Sequence, residues 1–497
     1  MQTGTLISLA AYFILMLGIG VYAWRESTAD TSGYLLGGRD LGPGVTALSA
    51  GASDMSGWLL MGLPGAIFLS GLSQAWIGIG LVIGAYLNYR LVAPRLRTYT
   101  ELAGDAITVP DFLEERFEDR SHALRLISAL VIIVFFTLYT SAGMVAGGKF
   151  AVSALGMDYG AGILLTAGIV VAYTALGGFL AVSLTDFVQG CIMFVALVMV
   201  PVAAYLVLGG DGLAQGLATA ETTRSLAPGT LSSLIGGTSL LAIVSAAAWG
   251  LGYFGQPHII VRFMAIRRVE DLPTARRINI GWMSVSLLGA IATGYVGAAW
   301  FAARGGAPAD PETVFILFSQ ILFHPLVAGF TLAAILAAIM STISSQLLVT
   351  SSSLTEDIYK TYLRREASER ELVTLSRIAV AAVAVVAGLL ALDPDSSILA
   401  LVGNAWAGFG AAFGPVILFA LLWKRTTRAG ALAGMIVGAV VVIAWILAGW
   451  SATLYEIVPG FIAASLATWL VSLATPAPRE SIMQTFDAAA LAARPGA

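Results

Sequence analysis

The sequence predicts an all-α polytopic membrane protein of about thirteen transmembrane helices, two five-helix halves of opposite topology with broken helices among them. Three observations predict it. Of 497 residues, 58% are hydrophobic and 11% charged, against about 25% charged in an ordinary soluble domain. The apolar residues fall in blocks of roughly 20, the length a helix needs to cross a hydrocarbon core of about 30 Å. Lys and Arg gather in alternate loops. The block length excludes a water-soluble α/β enzyme. It also excludes an outer-membrane barrel, whose strands alternate over about 10 residues.

The first apolar run, 3–24, has no Lys or Arg before it, and the first cation is Arg25. A secretory signal needs a basic segment first, so this run is expected to be a retained span with its N-terminus outside. Further spans follow near 43–70, 73–96, 123–155, 160–178, 183–208, 232–258, 276–303, 325–350, 374–392, 397–422, 429–449 and 452–474, with an interfacial helix around 312–323. This count puts the C-terminus inside. The outside then keeps Lys149, Arg224 and Arg304, and all the other cations of the 26, including Arg262 to Arg277 and Arg494, fall in cytoplasmic loops or the tail. That bias is what the positive-inside rule requires.

One transmembrane domain is expected over 1–475. It comprises an extra helix at 1–24, halves at 43–208 and 232–422, and two final helices at 429–474. The tail, 476–497, is Ala-rich and expected to fray.

Net charge of -3 with no basic patch gives no reason to expect nucleic acid. The one cysteine, Cys191, rules out an internal disulfide framework and reads as a packing residue. His122, His258 and His324 are scattered at segment ends and form no ligand pair, so they read as interfacial or structural. No nucleophile–base or metal constellation argues for an enzyme.

Each half begins with an interrupted segment. The first runs from Gly42-Pro43-Gly44 through Ala52-Ser53-Asp54-Met55-Ser56-Gly57-Trp58 to Pro64-Gly65. The second is Ala248-Trp249-Gly250-Leu251-Gly252-Tyr253-Phe254-Gly255-Gln256-Pro257. A helix broken in lipid frees amides and carbonyls, which is tolerable where the backbone lines a solvated cavity. Glycines alone can equally serve close helix packing. Asp54 tips the reading, because an intramembrane carboxylate is expensive and marks function.

The ninth span carries Ala338, Ser341, Thr342, Ser344 and Ser345 at steps of three and four, on one helical face. Hydroxyl and carbonyl oxygens without an acid suit a hard monovalent cation. The bland alternative is hydroxyls bonded back to their own helix. Trp249, Tyr253 and Pro257 recur at steps of four and would share a face, with Tyr139 on the fourth span. Aromatic walls suit a small apolar ring. Ser56, Gly57 and the amides freed at the break suit a carboxylate.

Several motifs resemble those of the sodium/solute symporter family. Tyr173-Thr174-Ala-Leu176-Gly177-Gly178, with Ala181-Val182 and Thr185-Asp186-Phe-Val-Gln189, is similar to one family signature. Trp423-Lys-Arg425 with Gly430-Ala431, Gly434 and Gly438 is similar to a second. Met340 to Leu348, Thr355 to Lys360, Ser53 to Trp58 and Gly250 to His258 resemble its sodium/proline branch. The likeness runs from about Tyr34 to Val471.

The resemblance implies the fold of the leucine transporter, alternating access and a bacterial cytoplasmic membrane. It implies sodium held by the carbonyls of Ala52, Met55 and Ala338 and the hydroxyls of Ser341 and Thr342. It implies L-proline bound by Ser56, Gly57, Trp58, Tyr139, Trp249, Tyr253, Gln256 and Pro257, and Arg39 as a cytoplasmic gating residue. Asp186 matches a carboxylate tied to sodium. With Ser344, Ser345 and Asp54 it would serve coupling or a second sodium, or else cap its helix in water at the cytoplasmic end. Ser345 departs from the branch's cysteine, which leaves the second ion open. A monomer is expected to suffice. Pantothenate, a sugar or sialic acid is the alternative cargo, and a sensor or channel on the same fold the alternative function; neither a filter loop nor a signalling domain is present in the sequence.

Overall fold

A computed structural model describes residues 2–26 and 31–493. Arg494 and the last residues of the expected tail lie outside the described residues. Among those described, every extended element is a helix, and the only β pairing is a bridge between Leu41 and Ile266. The helices are α1 (Thr3–Glu26), α2 (Thr31–Leu36), α3 (Pro43–Asp54), α4 (Leu63–Ser70), α5 (Ala75–Leu91), α6 (Ala93–Leu102), α7 (Val109–Arg116), α8 (Ala123–Phe150), α9 (Tyr159–Thr223) and α10 (Leu240–Ala247). They continue as α11 (Pro257–Ala265), α12 (Leu272–Ala303), α13 (Val314–Leu322), α14 (Pro325–Ser352), α15 (Glu369–Leu390), α16 (Ile398–Leu422), α17 (Arg428–Leu447), α18 (Ile457–Ala474) and α19 (Glu480–Ala492).

Among the described residues ten helices are long and apolar enough to cross a membrane, fewer than the thirteen expected. The difference falls where the backbone is interrupted. Trp58–Leu102 runs on past Gly71, at φ 71°, and Tyr159–Thr223 runs past Gly178, at φ 55°. Leu240–Gly255 is too short alone. At Gly178 a side chain would face strain twice over. The conformation disfavours L residues, and a Cβ would meet the carbonyl and ring of Tyr34.

The expected span 232–258 is helical only from Leu240, tightens to a 3₁₀ segment over Ala248–Gly255, and resumes as α11. The expected span 43–70 leaves the α-helix at Met55, with φ -80° and ψ 72°, and passes through a π-helical turn at Trp58–Gly62. Two glycines let α5 press on the 3₁₀ segment. A Cβ at Gly80 would enter the carbonyl of Ala247, and one at Gly84 the carbonyl of Gly250.

At the centre, α14 is buried along nearly all of 331–350 and α3 along 46–54. Large aliphatic side chains stay exposed on the outermost helices, such as Leu164 and Leu206 on α9 and Leu288 on α12. Lipid, not water, suits such surfaces.

The tail does not fray as expected. α19 is amphipathic and buries Ile482, Phe486 and Ala489 at steps of four and three. Phe486 takes one side of the Arg116 guanidinium, 5.2 Å from the ring centre, and Tyr99 and Phe117 take others at 5.4 and 4.8 Å. Thr98 Oγ1 donates to the Ala489 carbonyl at 3.1 Å. The Ala-rich composition hid this apolar stripe.

The α5 contact gives a test. Gly84→Ala should destabilise the protein by about 1–3 kcal/mol, as overpacking does, and lower its thermal midpoint in micelles. Substitution at Gly18, where a Cβ meets nothing, should leave that midpoint unchanged.

Candidate functional site

The two breaks face each other. The Trp58 indole stands 6.1 Å from that of Trp249. The Tyr253 hydroxyl donates to Asp54 Oδ2. Tyr139, from α8, is a neighbour of Asp54, Ser56 and Tyr253. Gly57 lets this segment sit against α8 and α14: a Cβ there would lie 2.8 Å from that of Ala146 and 3.3 Å from Ile339 Cγ1.

Three carbonyls at the breaks accept from side-chain N–H donors. Trp58 Nε1 donates to Asp54 O at 3.1 Å, Trp406 Nε1 to Trp249 O at 2.7 Å, and Asn88 Nδ2 to Tyr253 O at 3.0 Å. Gln256 Nε2 donates to Trp406 O at 3.1 Å. The sequence reading missed Trp406 and Asn88. Polar atoms inside apolar spans were the available signal.

The hydroxyl stripe lies where the break in α3 opens. Ser341 Oγ is 2.7 Å from the Ala52 carbonyl and 3.1 Å from that of Ala338, which Thr342 Oγ1 approaches at 3.3 Å. Four oxygens of two elements are thus linked in one chain of hydrogen bonds, with Ser341 and Thr342 both bonding back to Ala338 of their own helix. Ser344 Oγ turns away and donates to Ser341 O at 2.9 Å.

Trp249, Tyr253 and Pro257 do not share a face as expected, because a 3₁₀ segment repeats at three residues and not four. Trp406 gathers the first two, 6.4 Å from Trp249 and 5.3 Å from Tyr253. Pro257 opens α11 and lines a small cavity with Thr108, Val261 and Leu348. That cavity measures about 10 Å³. At the Ile398 end of α16 a cavity of about 500 Å³ reaches Trp249, Tyr455 and Asn404. Beside it Lys149 meets Asp310 and Glu312, both at 2.9 Å. Four buried atoms at the site (Asp54 Oδ1, Tyr139 OH, Gln256 Oε1 and Asp186 Oδ1) make no hydrogen bond among the described residues. Orphaned buried oxygens are costly without a ligand.

Asp186 is not a helix cap in water. It is fully buried, and Oδ2 takes Arg262 Nη2 at 3.1 Å and Ser49 Oγ at 2.7 Å. Ser345 Oγ lies 2.6 Å from the same Arg262 nitrogen and 3.5 Å from Oδ2. The sequence reading counted Arg262 as a cytoplasmic loop cation. It lies instead inside α11, its guanidinium 5.3 Å from the Phe179 ring centre. A cation in the apolar run Pro257–Ala265 was the missed signal, since Asp186 needed one. His258 likewise is buried and not interfacial, edge-on to Phe136 and Tyr139.

Arg39 ends the short turn before α3. It donates to the carbonyls of Met264 at 2.9 Å and Ala106 at 2.7 Å, and pairs with Asp105 at 3.0 Å. Burial pushes its pKa down, against the pull of Asp105.

Comparison with known proteins identifies the family. The profile of the Sodium:solute symporter family matches residues 34–438. The chain is 58% identical over 472 residues to the high-affinity proline transporter PutP of Bacillus subtilis, covering 95% of this chain and 98% of that protein. It is 56% identical over 488 residues to the osmoregulated proline transporter OpuE of the same organism, with 98% of each covered. Against the sodium/proline symporter of Staphylococcus aureus the identity is 55% over 486 residues, covering 95% and 93%. Among solved structures, a substrate-bound, outward-open Na⁺-coupled sialic acid symporter superposes with a TM-score of 0.79 at 20% identity, over 96% of this chain and 99% of that one. Mhp1, a nucleobase–cation–symport-1 family transporter, in a closed conformation, gives 0.56 at 15% identity, over 91% and 98%. Those likenesses carry the fold.

The buried pair gives a test of its own. Arg262→Gln leaves Asp186 charged and unpartnered, and should cost about 3–5 kcal/mol. Arg262→Met with Asp186→Leu should recover most of that loss in thermal unfolding of the purified protein. A loss in the double variant equal to the sum of the losses in Arg262→Met and Asp186→Leu singly would show that the pair is not coupled.

Proposed function

Because the chain belongs to the sodium:solute symporter family, we propose that it is a secondary active transporter that takes up L-proline with sodium by alternating access. It is a multi-pass bacterial membrane protein and not an enzyme. The observation that carries the cargo is identity of 55–58% over nearly full length to proline transporters.

We assign sodium to the junction of α3 and α14. Ala52, Met55 and Ala338 offer carbonyls, and Ser341 and Thr342 offer hydroxyls. What supports this is the convergence of Ser341 on Ala52 and Ala338. A serine hydroxyl is both donor and acceptor. When a cation arrives it can rotate its proton away and present a lone pair, and the carbonyl it had capped becomes a second ligand.

Proline would lie between the two breaks, its ring against Trp58, Trp249 and Tyr139. Its carboxylate would meet the amides around Ser56 and Gly57, and its amine Asp54, with Tyr253 and Gln256 closing the pocket. Pro257 would act further along, where the chain opens toward the narrow cavity. Asp186 with Ser344 and Ser345 is a coupling element and not a second ion site, because Arg262 already supplies the cation; one sodium per cycle is the reading this favours.

The cation distribution supports an outside N-terminus and an inside C-terminus. The two halves, 43–208 and 232–422, would rock about the breaks. In that frame the about 500 Å³ cavity opens outward, the about 10 Å³ cavity marks the closed inner path, and Arg39 ties that inner side shut. One chain holds every residue named, so a monomer suffices.

Labelled-proline uptake by liposomes carrying the pure protein is the test. Uptake should require a sodium gradient, and potassium should not replace it. Thr342→Ala should raise the half-saturating sodium about tenfold, the loss of one ligand oxygen worth roughly 1.4 kcal/mol. Tyr253→Ala should weaken proline while sodium binding survives. Equal uptake in potassium would end the sodium assignment.

A further inference from the structure

α5 and α12 meet in a seam with a basic end. Gly78 of α5 faces Leu287 and Ile291 of α12, so the helices run antiparallel and the end of α5 lies beside the start of α12. There the Arg276 guanidinium lies 5.4 Å from the ring centre of Tyr86. Arg90 stands one turn beyond Tyr86 on the same face, and Arg277 follows Arg276. Arg90, Arg277 and Tyr86 are exposed.

Several other arginines at this membrane face carry an acidic partner, though Arg120 and Arg370 make no ion pair among the described residues. Arg97 has Glu101, Arg125 has Asp111 and Glu114, Arg364 has Glu371, and Arg428 has Asp119. Arg90, Arg276 and Arg277 make no ion pair among the described residues. The nearest acids in sequence are Asp271, which is held by Arg267 at 2.9 Å, and the exposed Glu270. Toward the membrane interior the same seam turns apolar and exposed, through Ile83 on α5 and Leu288 on α12.

We infer that this seam is a binding surface for an anionic phospholipid. Its phosphodiester would sit among Arg90, Arg276 and Arg277, and an acyl chain would follow Ile83 and Leu288. The charge is complementary, and a guanidinium fork matches two phosphate oxygens. The Tyr86 ring fixes Arg276 at the interface, so little side-chain freedom is lost on binding. A neutral lipid would leave the three cations uncompensated. Free phosphate would lack the chain that the apolar part of the seam accepts. Nothing in the transport reading requires this surface, which lies on the lipid face and not at the breaks.

Native mass spectrometry of the purified full-length protein tests it, using phosphatidylglycerol, phosphatidylcholine and inorganic phosphate as probes. Wild type should retain phosphatidylglycerol over phosphatidylcholine, with no competition from phosphate. The variant R90Q/R276Q/R277Q should lose that preference by on the order of a hundredfold, at roughly fivefold per arginine near a membrane surface. R120Q/R370Q, which removes charge elsewhere, should keep it. If the triple variant does not insert, Arg276→Gln and Arg90→Gln singly should each cost about fivefold. Retained preference in the seam variants, equal loss in R120Q/R370Q, or displacement by phosphate would overturn the inference. Lipid retention is read without transport, so a failure here and a failure of proline uptake are distinguishable.

Discussion

A backbone interrupted inside hydrocarbon must find a partner for each polar group it frees. The rest of this structure follows from how two interruptions meet that demand. Three carbonyls at the breaks, of Asp54, Trp249 and Tyr253, accept from indole or amide N–H donors, that of Asp54 also from the Ser56 amide. The fourth, at Ala52, is held by the hydroxyl of Ser341. An indole nitrogen only donates, whereas a hydroxyl can reverse its role. The site thus has a rigid part and one exchangeable part, and the exchangeable part is where we propose that the cation binds. Close packing by glycine, with α5 on the 3₁₀ segment, brings Asn88 within reach of Tyr253.

The second charged element is the pair of Asp186 and Arg262. Neither ion could be so deeply buried alone. The pair ties α9 to α11, and through Ser49 and Ser345 to α3 and α14. These elements carry both breaks and the hydroxyl stripe. A displacement of α11 would uncover Asp186 and loosen the stripe together, which is how one movement could reach both sodium and cargo. In the proposed reading the Asp186–Arg262 pair positions these elements and does not itself touch the cargo.

Much of this was legible in the sequence for identifiable reasons. Block length and charge bias speak directly about the membrane, because lipid excludes unpaired polar groups. Ser341 and Thr342 showed themselves by helical period, and Asp54 by its cost. What stayed hidden depended on tertiary contact. Arg262 looks like a loop cation until Asp186 is seen beside it. Trp406 lies 157 residues from the carbonyl it caps, a pairing no local pattern reveals. The steps of four from Trp249 to Pro257 misled, because the glycines that permit the break also change the helical repeat. In α19 three buried side chains were masked by alanines. The expected spans outnumber the long helices because two pairs of them run on as continuous helical stretches past Gly71 and Gly178, and the span expected at 232–258 is broken into pieces too short to cross alone.

The claim that the exchangeable carbonyl is the ion's site is tested most directly by an experimental density map of the protein in sodium and proline. The account predicts an ion bounded by the carbonyls of Ala52 and Ala338 and the hydroxyls of Ser341 and Thr342, with the Asp186–Arg262 pair intact. An ion seated on Asp186, with Arg262 displaced and Ser341 still donating to Ala52, would contradict it.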